Sequence, residues 1–159
     1  MKNLELLAIE GIPLIEPGDD LVSIIIQTIK EEELKILYED YRWTCEMLLE
    51  EELYFRRNNR YRYATFKETY EKVYSNSSLM KRYLNGLLVS QVLWSNHSSA
   101  LSMFIEEFLP AVPSRGRFLE IGPGHGLYLY FSAKKMKGWM LEAWDVSRSS
   151  IENTFNTLR

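Results

Sequence analysis

Residues 118 to 126 read Phe-Leu-Glu-Ile-Gly-Pro-Gly-His-Gly, and this run restricts the fold more than any other stretch of the chain. An apolar run suited to a strand enters three glycines at alternate positions, and the pattern then changes to that of a helix starting near Leu127. Glycine serves such a turn in two ways: it takes up positive φ at little cost, and it lets another backbone or a ligand come close. Strand, glycine turn and helix in that order open the nucleotide-binding α/β architectures. The glycines are spaced G-x-G-x-G, and Leu127 stands where a dinucleotide fingerprint places its third glycine, which disfavours NAD.

The residues that follow extend the pattern. Arg117 to Ile121 suits a central parallel strand buried on both faces, and Leu127 to about Lys135 suits the helix after the loop. Met140 to Trp144 reads as a second strand that ends in Asp145, 23 residues beyond Gly122. A carboxylate about 20 residues after the first glycine is where ribose hydroxyls are met in folds of this kind. Ser147 or Ser149 is placed to cap a last helix.

The residues ahead of the loop are helical in pattern. Leu4 to Ile15, broken by Gly11 and Pro13, suits an extended arm or short strand, and Pro17 to Asp20 a turn leading into a helix over 21–30. From Glu31 to about Phe55, apolar positions recur at three- and four-residue steps, which predicts one long amphipathic helix. Thr65-x-x-Glu68 is a capping box before a helix over Phe66 to Tyr74, and Ser77 or Ser78 would cap the next, over Leu79 to Trp94. Asn96 to Ser98 would separate that helix from one over Ser99 to Leu109, closed by Pro110 and Pro113. The predicted organisation is α/β: a mostly helical cap over 1–110, a linker over 111–116, and a β-α-β-α segment over 117–159.

Composition narrows the class. With 159 residues, 46% hydrophobic and 26% charged, the chain is that of a globular protein. The net charge of -3 gives no global attraction to polyanions, and no apolar run approaches the roughly 20 residues of a membrane span. Cys45 stands alone, which excludes an intrachain disulfide and, with a start unlike a signal peptide, points to the cytoplasm. The acidic runs Glu31–Glu33 and Glu50–Glu52 have no histidine near them and read as solvated faces, so no metal site is expected. Arginines and aromatics mix over Tyr54 to Tyr63, as on single-stranded nucleic-acid surfaces, but a helix C-terminus followed by a packed tyrosine loop explains them as well.

The run Glu120-Ile121-Gly122-Pro123-Gly124-His125-Gly126, with the acid at Asp145, resembles motif I and the acidic end of strand 2 in the class I S-adenosylmethionine (SAM) dependent methyltransferases. The resemblance covers residues 117 to 150 and implies the first β-α-β-α part of a Rossmann-like SAM domain. It implies that Glu120 helps hold the ammonium of SAM, that Gly122, Gly124 and Gly126 line the cofactor, and that Asp145 accepts from the ribose hydroxyls. A strand carboxylate exposed at the surface remains the alternative for Glu120, and a helix N-cap the alternative for Asp145. The class I fold is a seven-stranded doubly wound sheet, so the expectation is an N-terminal portion, not competent for catalysis alone, with a complementing chain or second copy covering the sheet edge.

Substrate chemistry is less marked. His97, Tyr83 and Tyr128 are the candidates for a general base or substrate ligand, against helix capping for His97 and core packing for the tyrosines; His125 sits in the loop, where turn hydrogen bonding competes with catalysis. The expected activity is methyl transfer to a small-molecule metabolite. Its rivals are another use of SAM, such as a cyclase, and a helical interaction module with a degenerate SAM site.

Overall fold

The structure is a computed structural model and describes residues 31–159. The extended arm expected over Leu4 to Ile15 and the helix over 21–30 lie outside the described residues. Helix α1 (Glu31–Asn58) opens with Glu31, Glu32 and Glu33 and closes with Arg56 and Arg57, charges that oppose the helix dipole at each end. Helix α2 (Phe66–Thr69) starts from the capping box, with Thr65 Oγ1 accepting from the Glu68 N–H and Glu68 accepting from the Thr65 N–H. It widens into a π turn, Tyr70–Tyr74, closed by the Ser75 N–H donating to the Tyr70 carbonyl.

Helix α3 (Ser77–Leu93) is capped by Asn76, whose side chain accepts from the Leu79 N–H, and so neither Ser77 nor Ser78 is the cap. The longer amide side chain takes the role one residue earlier than expected, because residue 76 is the one with extended φ and ψ. A second difference follows α3. Asn96, His97 and Ser98 lie inside helix α4 (Ser95–Met103), and the break is the single extended residue Trp94, anchored by its indole N–H donating to the Tyr41 hydroxyl. Neither glycine nor proline marks that break. The chain then passes through a π turn, Phe104–Phe108, into α5 (Leu109–Ala111). Pro110 therefore does not stop the helix: a wide turn just before it accommodates the ring and its missing N–H.

Strands β1 (Arg117–Ile121) and β2 (Met140–Trp144) pair in parallel, Arg117 opposite Met140 and Ile121 opposite Trp144. Helix α6 (Leu127–Lys135) makes the crossover between them, and α7 (Arg148–Thr157) follows β2, capped by Ser147. The described fold is thus mixed α/β, mostly helical, with one two-stranded parallel sheet.

The expectation that β1 is buried on both faces fails. Phe118 and Glu120 turn inward, whereas Leu119 and Ile121 are exposed, and Met140 and Trp144 on β2 are exposed beside them. Among the described residues, helices cover one face of this sheet only. The cap and the sheet region meet where α3 packs on α7, and Leu84 of α3 reaches the glycine loop closely enough that a Cβ on Gly124 would lie 3.3 Å from its methyl.

Candidate functional site

The loop from Gly122 to Gly126 is held from three sides. Its first N–H, that of Gly122, donates to the Trp144 carbonyl at 2.7 Å, which extends the sheet ladder by one bond. Within the loop, the Gly126 N–H donates to the Pro123 carbonyl. From α7, the Thr154 hydroxyl donates to the Gly124 carbonyl at 3.2 Å and the Thr157 hydroxyl to the His125 carbonyl at 2.9 Å. Gly122, Gly124 and Gly126 all take positive φ. At Gly126 a side chain is excluded twice over, because a Cβ would also lie 2.9 Å from the Thr154 backbone.

His125 is buried, and its Nδ1 accepts from the Leu127 N–H at 3.2 Å. That bond places the ring proton on Nε2. Burial, with His97 nearby, lowers its pKa to about 4, so the imidazole stays neutral at physiological pH. His125 thus shapes the start of α6, a turn role rather than that of a proton acceptor.

A cleft of about 520 Å³ opens over the carboxyl ends of the two strands. Gly122, Gly124 and Asp145 form its floor together with Ser150 and the apolar Ile121, Trp144 and Val146, and the roof comes from the cap: Tyr74, Met80, Tyr83, Leu84 and Leu87. Such a volume suits a small-molecule ligand, and the ends of parallel strands are where ligands sit in open α/β sheets. A Cβ on Gly122 would meet nothing within 4 Å, so the cleft stays open directly over the first glycine. Asp145 Oδ1 accepts from the Ser147 N–H at 2.8 Å, which fixes the carboxylate at the strand end while Ser147 caps α7. Asp145 is therefore not the N-cap of that helix. One Oδ1 lone pair and the whole of Oδ2 remain to accept from a diol.

Glu120 lies inward of the loop and does not line the cleft. Its Oε2 is buried without a hydrogen-bond partner, and desolvation raises its pKa to about 7. Tyr128 on α6 is near enough for the Glu120 charge to add to the effect of burial in raising the phenol's pKa. An unpartnered carboxyl oxygen is costly unless a cation or donor meets it. Asp145, in the lining, suits a diol, whereas Glu120, behind the loop, reaches an ammonium in the cleft only through an intervening water.

The structure brings Gly122, Gly124, Asp145 and Tyr83 together around one cleft, and leaves Glu120, Gly126, Tyr128 and His97 outside its lining. His97 lies on α4 with its Nδ1 2.8 Å from Ser90 Oγ. Ser90 Oγ also donates to the Leu87 carbonyl, and Gln91 Nε2 lies 3.4 Å from the same ring nitrogen, so His97 is held by polar contacts to α3. Trp94 packs against the same ring, 5.0 Å between centroids. Sequence reasoning missed most of the roof. Met80, Leu84 and Leu87 recur at steps of four and three residues in a helical run, a visible stripe whose partner surface no local pattern reveals.

Elsewhere, Arg62 of the arginine–aromatic stretch pairs with Glu51 at 2.6 Å and lies over the Tyr54 ring, and Arg56 pairs with Glu52. Among the described residues no helix is long and apolar enough to cross a membrane, and no group of three or more His, Cys, Asp or Glu is placed to hold a metal ion. No protein-family model, curated protein or solved structure matches this chain.

Proposed function

We propose that the cleft binds S-adenosylmethionine and that the protein serves methyl transfer to a small-molecule metabolite in a reducing, cytoplasmic setting. The observation that carries this reading is the convergence of Gly122, Gly124 and Asp145 on one cleft, with the unpartnered Glu120 oxygen behind the loop. Asp145 would accept from the ribose hydroxyls, Glu120 would meet the ammonium through a water, and the glycines would let the ligand lie against the backbone. Gly126 contributes by holding the loop against α7. When bound, the cofactor supplies a methyl group on an activated sulfonium, so the chain's work is to align the acceptor and exclude water. The helical cap, which roofs the cleft, is the part suited to both tasks.

The apolar outer face of the sheet supports a second element of the reading. Leu119 is 43% and Met140 57% exposed, a surface away from the cleft that a further polypeptide or a second copy would cover before catalysis. The fold segment is accordingly read as the first β-α-β-α part of a Rossmann-like domain.

Isothermal titration of SAM into the protein tests the cofactor assignment. Saturable binding that weakens roughly tenfold or more in Asp145→Ala is expected, as for a lost bidentate charge-assisted contact. Absence of SAM binding, both alone and with a complementing chain, would sink it. Product mass separates methylation from cyclisation of the cofactor's own chain. A helical interaction module would keep its function when Gly124 or Asp145 is replaced.

A further inference from the structure

The cleft is chemically two-sided. Its floor carries the one charged group, Asp145, with Ser150 and the backbone of the glycine loop beside the apolar Ile121, Trp144 and Val146, whereas its roof carries Met80, Leu84 and Leu87 with two phenols, Tyr74 and Tyr83, and no charged side chain. A charged group pressed against that roof would lose water and gain no counter-charge, while a neutral planar one would lose little. The Tyr83 phenol is half-buried, and burial together with the nearby Tyr74 raises its pKa. It therefore keeps its proton at physiological pH and acts as a hydrogen-bond donor, not as a base. Among the described residues neither the Tyr74 nor the Tyr83 hydroxyl has a hydrogen-bond partner, which leaves both for a ligand.

From this asymmetry we infer that the roof selects an uncharged, aromatic or otherwise planar apolar acceptor, with Tyr83 donating to its oxygen or nitrogen and Tyr74 closing the far side. Tyr83 is then a specificity-determining residue. This inference rests on the proposed cofactor site for its place in a reaction, but the preference of the roof stands on its own lining.

The test is paired titration of the whole protein with 2-naphthol and with 2-naphthoate, each with and without saturating SAM, read by ligand-observed NMR. Binding of 2-naphthol at least about tenfold tighter than 2-naphthoate is expected. Tyr83→Leu should reduce that affinity by about tenfold, and Tyr83→Phe, which keeps the ring, by several-fold. Tyr74→Arg, which adds a cation to the roof, should shift the preference towards 2-naphthoate. Circular dichroism and SAM titration on each variant show that fold and floor are retained. Equal or reversed affinities, failure of both probes to bind, or indifference to Tyr83 in folded protein would overturn the inference. Failure of SAM to bind while 2-naphthol keeps its preference would instead strike the cofactor reading and leave the roof assignment standing.

Discussion

Asp40 in the cap and Thr154 in the sheet region are both buried polar residues, yet they solve different problems. Asp40 reaches across helices: its carboxylate accepts from Arg82 at 2.9 Å and from Asn85 at 2.8 Å, tying α1 to α3 through side chains more than forty residues apart. Arg82 in turn stacks over the Trp43 ring. Thr154 instead gives its hydroxyl to a loop carbonyl, and the buried Ser147 caps α7 by accepting from the Ser150 N–H. Asp40 thus sets the register between two helices, and Thr154 the shape of one loop. A ligand site needs the second kind of rigidity, because its geometry is set by backbone atoms.

The contrast breaks most sharply at glycine. Gly126→Ala forces a side chain into positive φ and against the Thr154 backbone, and about 3 kcal/mol of stability should be lost, measured by urea unfolding. Gly86→Ala strikes the cap instead, where the added methyl meets the Thr44 side chain at the α1–α3 crossing; a loss of about 2 kcal/mol is expected. If the two regions unfold as one cooperative unit, the losses add and a single transition remains in the double variant. A second transition in Gly126→Ala alone would show that the sheet region opens independently of the cap.

Glu120 sharpens the comparison through pH. Its pKa in the folded protein, about 7, lies above that of an unfolded glutamate, so the native state holds a proton that the unfolded state has already released between roughly pH 4.3 and 7. Stability therefore falls as pH rises through that window. Discounted for the exposed part of the carboxyl, the fall amounts to about 1–2 kcal/mol. Glu120→Gln should remove that slope, so thermal melts at pH 5 and pH 8 should differ less in the variant than in the parent; an unchanged slope would refute the assignment. The smallest effects belong to the helix caps. Asn76→Ala in the cap and Ser147→Ala beside the site should each cost about 1 kcal/mol, but only Ser147→Ala should also weaken SAM binding, because Asp145 is fixed by the Ser147 segment.

How far these features could be read from the sequence depended on the range of the forces involved. Arg117–Ile121, Leu127–Lys135 and Met140–Trp144 fall where the sequence places them, since glycines and apolar runs decide such boundaries locally. The helix end at Trp94 was legible, but not that the break is one residue long with Asn96 to Ser98 already helical, since Trp94 is anchored by the Tyr41 hydroxyl 53 residues away. The exposed face of β1 was misread for a related reason: an apolar run records what a strand could bury, not whether a layer is present to bury it. At the site, Gly122 and Gly124 stand in one short stretch with Asp145 at a 23-residue spacing, a pattern visible in the sequence, whereas the position of Glu120 outside the cleft lining was not. The roof depends on α3 lying over the loop, a tertiary fact that periodicity does not contain.

Trp144 gives the cleft an optical consequence. It lines the cleft and stands largely in solvent, whereas Trp43 lies under Arg82, Trp94 bonds to Tyr41, and the Trp139 indole donates to the Pro113 carbonyl. The chain's four indoles thus divide into three held by packing or hydrogen bonds and one at the mouth of the site. Emission from Trp144 should be the red-shifted, quencher-accessible component, and its change on filling the cleft would report occupancy without any added label.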